Sequence, residues 1–166
     1  MSRFFFALWP DNLTRKNIVK CRSQYSLSGY ISEQSKLHIT LLFLDKLNVN
    51  QQQNIIRQAE KIICPEFKIC LTHTGYFKKS KAVWLGLKST PDTLLELHEQ
   101  LLYIAEKSHI SIQQQAYKPH VTLARKSVSI GTQQILPITW QIKNFVLVES
   151  TDTNKGVKYQ VIKSFS

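Results

Sequence analysis

Residues 36–41 read Lys-Leu-His-Ile-Thr-Leu and residues 118–123 read Lys-Pro-His-Val-Thr-Leu, so the pattern His-apolar-Thr-Leu occurs twice, 82 residues apart. In a β-strand, side chains two residues apart point to the same face of the sheet. His38 and Thr40 are therefore predicted to share one face, while the apolar residues beside them pack into a core. The second copy repeats this arrangement. Two such strands lining one cleft would present two imidazoles and two hydroxyls on rigid elements.

The repetition carries more weight than either copy alone, because a single histidine in an alternating strand is more often structural than catalytic. In the second strand, His120 and Thr122 take the places of the first pair. Arg125, near the end of the same strand, is predicted to share their face and to point into the same cleft. A guanidinium there suits a bidentate hold on a phosphate, and a surface arginine at the end of a strand is the alternative.

Composition is typical of a folded domain with a basic surface. The chain has 166 residues, 43% of them hydrophobic, which suits one domain over residues 1–166 made of two lobes. The net charge of +11 favours a polyanionic partner, with a solvated surface as the alternative; the basic residues are spread out, with a local cluster at residues 78–81. Three cysteines without C-x-x-C spacing indicate free thiols in a reducing cytoplasm. Neither a membrane-length apolar run nor a signal peptide pattern occurs.

Hydrophobic periodicity predicts helices and strands in an α+β order. The helices are expected at about residues 12–22, 51–63 and 91–107. The strands are expected at about residues 3–9, 37–44, 67–74, 82–87, 120–125, 142–149 and 157–163. Leu13 and Ile63 are assigned to the apolar stripes of the first two helices, and Gly75 is expected to turn the chain after the third strand. His98, on the third helix, is interpreted as structural.

The two motifs together suit acid–base chemistry on a cyclic 2′,3′-phosphodiester. One imidazole can take the proton of an attacking water while the other protonates the leaving ribose oxygen, since imidazole titrates near neutrality. The threonine hydroxyls can donate to the non-bridging phosphate oxygens. Two histidines without neighbouring carboxylates or cysteines are too few for a zinc site, so no metal or other cofactor is expected. A Gly-rich phosphate loop is absent from the sequence, which gives no support to ATP use.

These residues resemble the signature of the 2H phosphoesterase superfamily, and further segments resemble its bacterial RNA 2′,3′-cyclic phosphodiesterase branch, the LigT-like proteins historically called 2′-5′ RNA ligases. The further segments share the order of that branch. They are Arg3-Phe4-Phe5-Phe6-Ala7, Phe43-Leu44, Val83-Trp84-Leu85-Gly86, Arg125, Glu149-Ser150, Gly156 and Tyr159. One departure is Asp45, which stands where the family pattern usually has glycine. Glycine tolerates a positive φ, and aspartate tolerates it better than most other residues.

The resemblance implies a bilobal α+β fold in which two antiparallel sheets form a central cleft, with helices outside and a pseudo-two-fold axis between the motif strands. It implies hydrolysis of an RNA-terminal 2′,3′-cyclic phosphate to a 2′-phosphate, with His38 as proton donor and His120 as proton acceptor. Thr40 and Thr122 would bind the phosphate. It also implies a slow ATP-independent 2′-5′ joining of RNA ends. The partner expected is RNA with a cyclic phosphate end, tRNA halves among them, for a cytoplasmic monomer without membrane contact.

Two alternatives stay open at the level of sequence. One is a non-catalytic RNA-binding module, which the net charge supports but which would not need all four motif side chains. The other is a phosphodiesterase for a small cyclic nucleotide such as ADP-ribose 1″,2″-cyclic phosphate. Four aromatic residues can offer stacking surfaces to a base, with core or ordinary surface as the plainer interpretation. They are Phe5, Tyr30, Phe77 and Trp84.

Overall fold

The computed structural model describes residues 2–113, 115–154 and 156–166 of the chain. Within these ranges it contains three α-helices, a short 3-10 helix and nine β-strands, so the α+β class is confirmed. The helices are α1 (Asn12–Arg22), α2 (Val49–Ala59) and α3 (Asp92–Lys107). The strands are β1 (Ser2–Leu8), β2 (Tyr30–Ile31), β3 (Ile39–Asp45), β4 (Phe67–Phe77), β5 (Ala82–Leu87), β6 (His120–Arg125), β7 (Gln134–Ile142), β8 (Phe145–Thr153) and β9 (Gly156–Phe165). None of the helices in the described ranges is long and apolar enough to cross a membrane.

The nine strands of the described ranges belong to one antiparallel sheet with the order β7-β4-β5-β6-β3-β1-β8-β9, and the short β2 pairs with β6. The central strands β6 and β3 carry the two motifs and meet through one registered pair, Ile39 opposite Val121. The two expected sheets are therefore the two halves of this one sheet, β7-β4-β5-β6 with β2 and β3-β1-β8-β9, joined where the motifs meet. Because the motif strands run antiparallel about that pair, an approximate two-fold axis relates the halves.

The two faces of the sheet have different neighbours. The motif residues Ile39 and Val121 are fully buried in the main core, where they meet side chains of all three helices. The helix residues in that core include Ile18, Ile55, Leu94 and Leu97. The opposite face bears a small apolar cluster around Phe5 and Val148, with Trp9 and Tyr159 packed against it. The helices thus lie outside, as expected, and the motif histidines face away from them.

Two apolar residues assigned to helix stripes are exposed instead. Asp11 caps α1 by accepting a hydrogen bond from the Thr14 amide, and this starting point turns Leu13 outward, where it is 70% exposed. An Asn48 capping box begins α2, but the helix ends at Ala59, so Ile63 lies beyond it and is 80% exposed. The predicted helix was four residues too long, and this error assigned Ile63 to the buried face.

Strand β4 continues through Gly75, so the predicted turn there is wrong. The Trp84 ring of β5 lies directly on this glycine: a Cβ added to Gly75 would be 2.1 Å from Trp84 Cη2. Gly75 is therefore needed for close approach rather than for chain reversal. Strand β7 was not expected from the sequence, because Pro137 interrupts its pattern; as an edge strand, β7 tolerates the missing N–H.

Asp45 ends β3 in the left-handed conformation with φ of 55°, the backbone region that glycine adopts most readily. A non-glycine residue in this region carries a conformational cost of roughly 1 kcal/mol. We therefore expect Asp45→Gly to raise the free energy of unfolding by about 0.5 kcal/mol, the remainder being offset by the greater chain entropy of glycine in the unfolded state. Urea denaturation of both proteins measures this difference. A loss of stability would show that the Asp45 side chain makes a compensating interaction.

Candidate active site

The local backbone fixes the orientation of His38. Its Nδ1 lies 2.6 Å from the carbonyl oxygen of Lys36, and because a carbonyl can only accept, Nδ1 carries the proton. In the neutral ring, Nε2 is then an acceptor, and it lies 3.1 Å from Oγ1 of Thr40. The threonine hydroxyl therefore donates to the imidazole. Since residues two apart share a strand face, the sequence spacing places this hydroxyl beside the ring.

His120 is held in the same way. Its Nδ1 donates to the carbonyl oxygen of Lys118 at 2.6 Å, again two residues before the histidine. Among the described residues, its Nε2 has no hydrogen-bond partner, and neither does the Thr122 hydroxyl. Both imidazoles thus use Nδ1 for anchoring and leave Nε2 as the acceptor, an arrangement in which a histidine can take up or release a proton.

The pairing of the motif strands places each histidine near the threonine of the other copy. One residue either side of the Ile39–Val121 pair, an antiparallel register sets His38 opposite Thr122 and Thr40 opposite His120. Opposite residues share a face, so all four polar side chains lie on the face away from the helices. The four residues predicted to act together are therefore brought together by the fold.

Each motif ends in a β-bulge at its leucine. Against β1, Ala7 pairs with Thr40 but Phe6 pairs with Leu42, so Leu41 is the extra residue. Against β5, a register shift likewise skips Leu123, leaving Thr122 and Ala124 as the paired residues. This shift lies between Trp84 and Val83. A bulge reverses the alternation of faces beyond it.

The bulge decides where Arg125 points. In a regular strand Arg125 would lie on the face opposite to His120, because the two residues are five positions apart. The prediction that simple alternation places them on one face was therefore wrong. The extra residue at Leu123 restores the face, which explains why Leu123 and Ala124 are both buried while Arg125 is exposed. The charge of Arg125 acts on both histidines, so the predicted position in the cleft is reached by a different route.

The corresponding bulge in β3 brings an aromatic residue to the equivalent place. Phe43 follows Leu41 and Leu42 as Arg125 follows Leu123 and Ala124, and it is 57% exposed. Its ring centroid lies 5.8 Å from that of Phe5. The two halves of the site thus share a frame but differ in chemistry, with a cation on one side and an aromatic ring on the other.

Burial and nearby cations lower the pKa of both histidines. For His38 the pKa falls from 6.5 to about 4, chiefly because burial disfavours the imidazolium; the hydrogen bond to Lys36 opposes this, and the charges of Arg125 and His120 add to it. For His120 the pKa is also lowered, first by burial, then by the charges of Arg125 and Lys118, against the hydrogen bond to the Lys118 carbonyl. Both rings are therefore neutral at pH 7 before an anion binds.

Aromatic rings surround each histidine. The His38 ring stacks on Trp9 at a centroid distance of 5.6 Å and also contacts Phe5 at 5.0 Å and Tyr159 at 5.5 Å. The His120 ring meets the edge of Phe77 at 4.8 Å. These apolar walls explain the desolvation that dominates both pKa shifts. Trp9 and Tyr159 were not predicted as site residues, because their contacts with His38 join segments that are far apart in the chain; Tyr159 entered the sequence analysis only through the family resemblance.

The wall beside His120 also holds a cation. Lys118 Nζ lies 4.6 Å from the Trp84 ring centroid and 5.4 Å from that of Phe77, which are cation–π distances. The Trp84 ring in turn lies 6.0 Å from His120. Lys118 therefore contributes its carbonyl to the orientation of His120 and its ammonium group to the potential of the cleft.

The remaining ionisable candidates lie outside this constellation. His98 donates from Nδ1 to the Leu41 carbonyl at 2.7 Å and stacks on Tyr117 at 4.0 Å, which confirms its structural interpretation. Burial raises the pKa of the Cys21 and Cys64 thiols, which disfavours the nucleophilic thiolate. Within the described ranges there is no group of three His, Cys, Asp or Glu side chains close enough to hold a metal ion. The expected independence from metals stays a prediction.

A family profile described as the 2′-5′ RNA ligase superfamily matches residues 9–154, a stretch that contains both motifs and Arg125. The chain belongs to the 2′-5′ RNA ligase superfamily. This matches the resemblance inferred from the motifs. The matched stretch runs from just after β1 to just after β8, so it includes both motif strands and most of the sheet.

Two bacterial relatives of this family member are named RNA 2′,3′-cyclic phosphodiesterase. That of Escherichia coli is 26% identical over 168 residues, which cover 99% of this chain and 96% of the relative. That of Thermus thermophilus is 30% identical over 178 residues, which cover 99% and 89%. The fold also matches the crystal structure of E. coli LigT complexed with 3′-AMP, with a TM-score of 0.90, 25% identity and coverage of 99% and 97%.

Proposed function

We propose that this protein hydrolyses RNA-terminal 2′,3′-cyclic phosphate to a 2′-phosphomonoester by acid–base catalysis with two histidines. The observation that carries the proposal is the identical anchoring of His38 and His120. Each donates from Nδ1 to the carbonyl two residues earlier, at 2.6 Å, and each directs Nε2 to the face that also bears the two threonines. Two oriented imidazoles on one cleft supply one base and one acid to the same phosphorus.

In the proposed reaction, water attacks phosphorus in line with the bond to the ribose O3′. His120 Nε2 accepts the proton of the attacking water as the new P–O bond forms. His38, protonated on Nε2, donates that proton to O3′ as the P–O3′ bond breaks. The products are a 2′-phosphate and a free 3′-hydroxyl, and the two histidines exchange protonation states. Solvent restores the starting state before the next turnover.

The phosphate oxygens would be held by Thr40, Thr122 and Arg125. In the ligand-free site, Thr40 donates to His38 Nε2. Protonation of that nitrogen removes the acceptor, so the hydroxyl becomes free to turn to a phosphate oxygen. Thr122, which lacks a partner within the described part of the chain, needs no such exchange. Arg125 adds the positive charge that stabilises the phosphorane-like transition state.

The substrate class is supported by the two relatives named RNA 2′,3′-cyclic phosphodiesterase and by the match to a LigT structure complexed with 3′-AMP. Attack by an RNA 5′-hydroxyl in place of water would leave a 2′-5′ linkage and release the same 3′-hydroxyl. Slow ATP-independent joining of RNA ends, tRNA halves among them, is therefore part of the proposal. So are a monomeric state and a cytoplasmic location.

The deciding experiment is a product assay on a short RNA that ends in 2′,3′-cyclic phosphate, with EDTA present and ATP absent. Hydrolysis to the 2′-phosphate rather than the 3′-phosphate is expected, since only the P–O3′ bond breaks in the proposed step. Binding of the RNA without turnover would indicate a non-catalytic module instead. Turnover of a small cyclic nucleotide in preference to RNA, with a shallow dependence on salt, would indicate the alternative substrate class.

The pKa shifts predict an acidic optimum for kcat/KM. Catalysis needs one proton on the histidine pair, and kcat/KM reports the pair in the free enzyme. Because burial lowers the pKa of both histidines, that of His38 to about 4, the singly protonated pair is most populated at acidic pH. We expect kcat/KM to peak there and to fall about tenfold per pH unit at higher pH.

The profile of kcat is expected to lie at higher pH than that of kcat/KM. The bound phosphodiester carries a negative charge, which raises the pKa of both imidazoles in the complex. Measurement of kcat and KM from about pH 4 to about pH 9 at constant ionic strength separates the two profiles. A kcat/KM maximum above pH 7 would contradict the lowered pKa values, and coincident profiles would contradict the predicted effect of the substrate charge.

A further inference from the structure

We infer that the body of the RNA, on the 5′ side of its cyclic phosphate end, binds along the half of the sheet that carries His120. The exposed residues that form this surface, here called the basic rim, lie on the β4–β5 turn, the end of β6 and β2. They are Lys78, Lys79, Lys81, Arg125, Lys126 and Tyr30. The inference rests on the proposed function for the identity of the RNA end, and it adds the direction in which the chain leaves the site.

The charges of the two halves of the sheet are unequal. The segments 67–88 and 118–142, which build the β7-β4-β5-β6 half, contain eight Lys and Arg and no Asp or Glu. The segments 2–8, 36–46 and 145–165, which build the other half with the residues that flank its motif strand, contain six basic and three acidic residues. In that other half, Arg3 is paired with Asp152 and Lys163 with Glu60. A polyanion would therefore be attracted to one side of the cleft.

The basic rim is continuous with the catalytic residues. Ser127 donates its amide to the Lys81 carbonyl at 2.9 Å, which brings the β4–β5 turn against the end of β6. Arg125 and Lys126 lie directly before that contact, and the charge of Arg125 reaches both histidines. Phe77, whose ring touches His120, leads directly into the lysines of the turn. An RNA chain whose terminal phosphate lies between the two histidines can therefore continue directly onto the basic rim.

The rim offers an aromatic surface as well as charge. Tyr30 is 68% exposed, pairs in the sheet with Arg125, and has Lys126 Nζ at 5.1 Å from its ring centroid. In the described part of the chain, none of Lys78, Lys79, Lys81 and Lys126 forms an ion pair with a carboxylate. Free cations interleaved with an exposed aromatic ring are typical of single-stranded nucleic acid sites and suit RNA better than an acidic peptide.

The test compares two triple variants that remove the same charge. The rim variant is Lys78→Gln, Lys79→Gln and Lys126→Asn, the last chosen because Lys126 has φ of 51° and asparagine tolerates this region. The control is Lys16→Gln, Lys20→Gln and Lys61→Gln, which lie exposed on the helical side. Binding is measured by fluorescence anisotropy on a labelled ten-nucleotide RNA ending in 2′-phosphate, and turnover on 2′,3′-cyclic AMP.

We expect the rim variant to bind the RNA at least about tenfold more weakly at about 50 mM salt and to lower the slope of log K against log salt by up to about 2. The control variant should stay within about twofold, and neither should alter turnover of 2′,3′-cyclic AMP. Tyr30→Ala should weaken RNA binding by about fivefold or more, with Tyr30→Phe close to wild type.

Three results would overturn the inference. Equal loss in both triple variants would mean that only net charge matters, and an unchanged rim variant would place the RNA elsewhere. Displacement of the RNA by polyglutamate as readily as by oligouridylate would make the rim a general polyanion site. Fluorescence anisotropy measures RNA binding without hydrolysis. Failure of the wild-type protein to hydrolyse cyclic phosphates would therefore count against the proposed function, while the binding data would still test the position of the RNA.

Discussion

Replacement of His120 by alanine is expected to lower kcat for the cyclic phosphate end by about 10²–10⁴-fold, the range typical of a lost general acid or base. The same range is expected for His38→Ala. The loss follows from geometry, because the strand pairing sets each motif histidine opposite the threonine of the other copy, whereas His73 lies two strands away from His120, on β4. The double variant should have a kcat only slightly below that of either single variant, since the two histidines act together in the same reaction step. Single-turnover assays with EDTA present measure these effects.

The control is a histidine that lies away from the cleft. His109 is exposed just after α3 with φ of 54°, so His109→Asn keeps a residue suited to that conformation. It should retain wild-type kcat. The His120 ring is partly buried and its one hydrogen bond goes to a backbone carbonyl, so His120→Ala should keep the circular dichroism spectrum and lose about 1 kcal/mol of stability. Turnover in the double variant close to wild type would rule out the two-histidine mechanism.

The sequence correctly predicted which residues of the motif strands face the core, but it did not predict how these strands end. Alternation with period two predicted that Ile39 and Val121 would be buried and that the histidines would face away from the core, and both hold. The bulges at Leu41 and Leu123 were missed, because two adjacent apolar residues also occur in an unbroken buried strand. Only the second copy carries a signal, because Leu123 is followed by an apolar alanine and a charged arginine, whereas residues 41–44 of the first copy are all apolar.

Features that depend on residues far apart in the chain were not accessible to pattern reasoning. The two halves of the sheet meet at the Ile39–Val121 pair, whose residues are 82 positions apart in the chain. The rings of Trp9 and Tyr159 reach His38 from two other parts of the chain. The prediction that the two motifs line one cleft therefore rested on the family resemblance, because the spacing of the motifs indicates only two separate strands.

Gly75→Ala is expected to destabilise the protein by about 1–3 kcal/mol, because the added methyl overpacks the space beside it. That methyl would lie 2.1 Å from Trp84 Cη2 and 2.2 Å from Cζ2, far inside contact distance. The indole cannot move away easily, because Trp84 is only 5% exposed and contacts Phe77 and His120. The clash should lower the melting temperature by roughly 3–10 °C. It should also reduce activity, since the ring beside His120 must shift.

A double-mutant cycle identifies the cause of this loss. In a Trp84→Leu background, which is itself expected to cost about 2–4 kcal/mol, the ring is gone and Gly75→Ala should cost less than about 0.5 kcal/mol. Gly86→Ala is the matched comparison: its Cβ would lie 2.7 Å from Trp84 Cζ3 but also 2.7 Å from His73 Nε2. Part of its cost should therefore persist without Trp84. If Gly75→Ala were as costly in the Trp84→Leu background as in the wild type, the glycine would be required by the backbone of β4 and not by the packing of the indole against it.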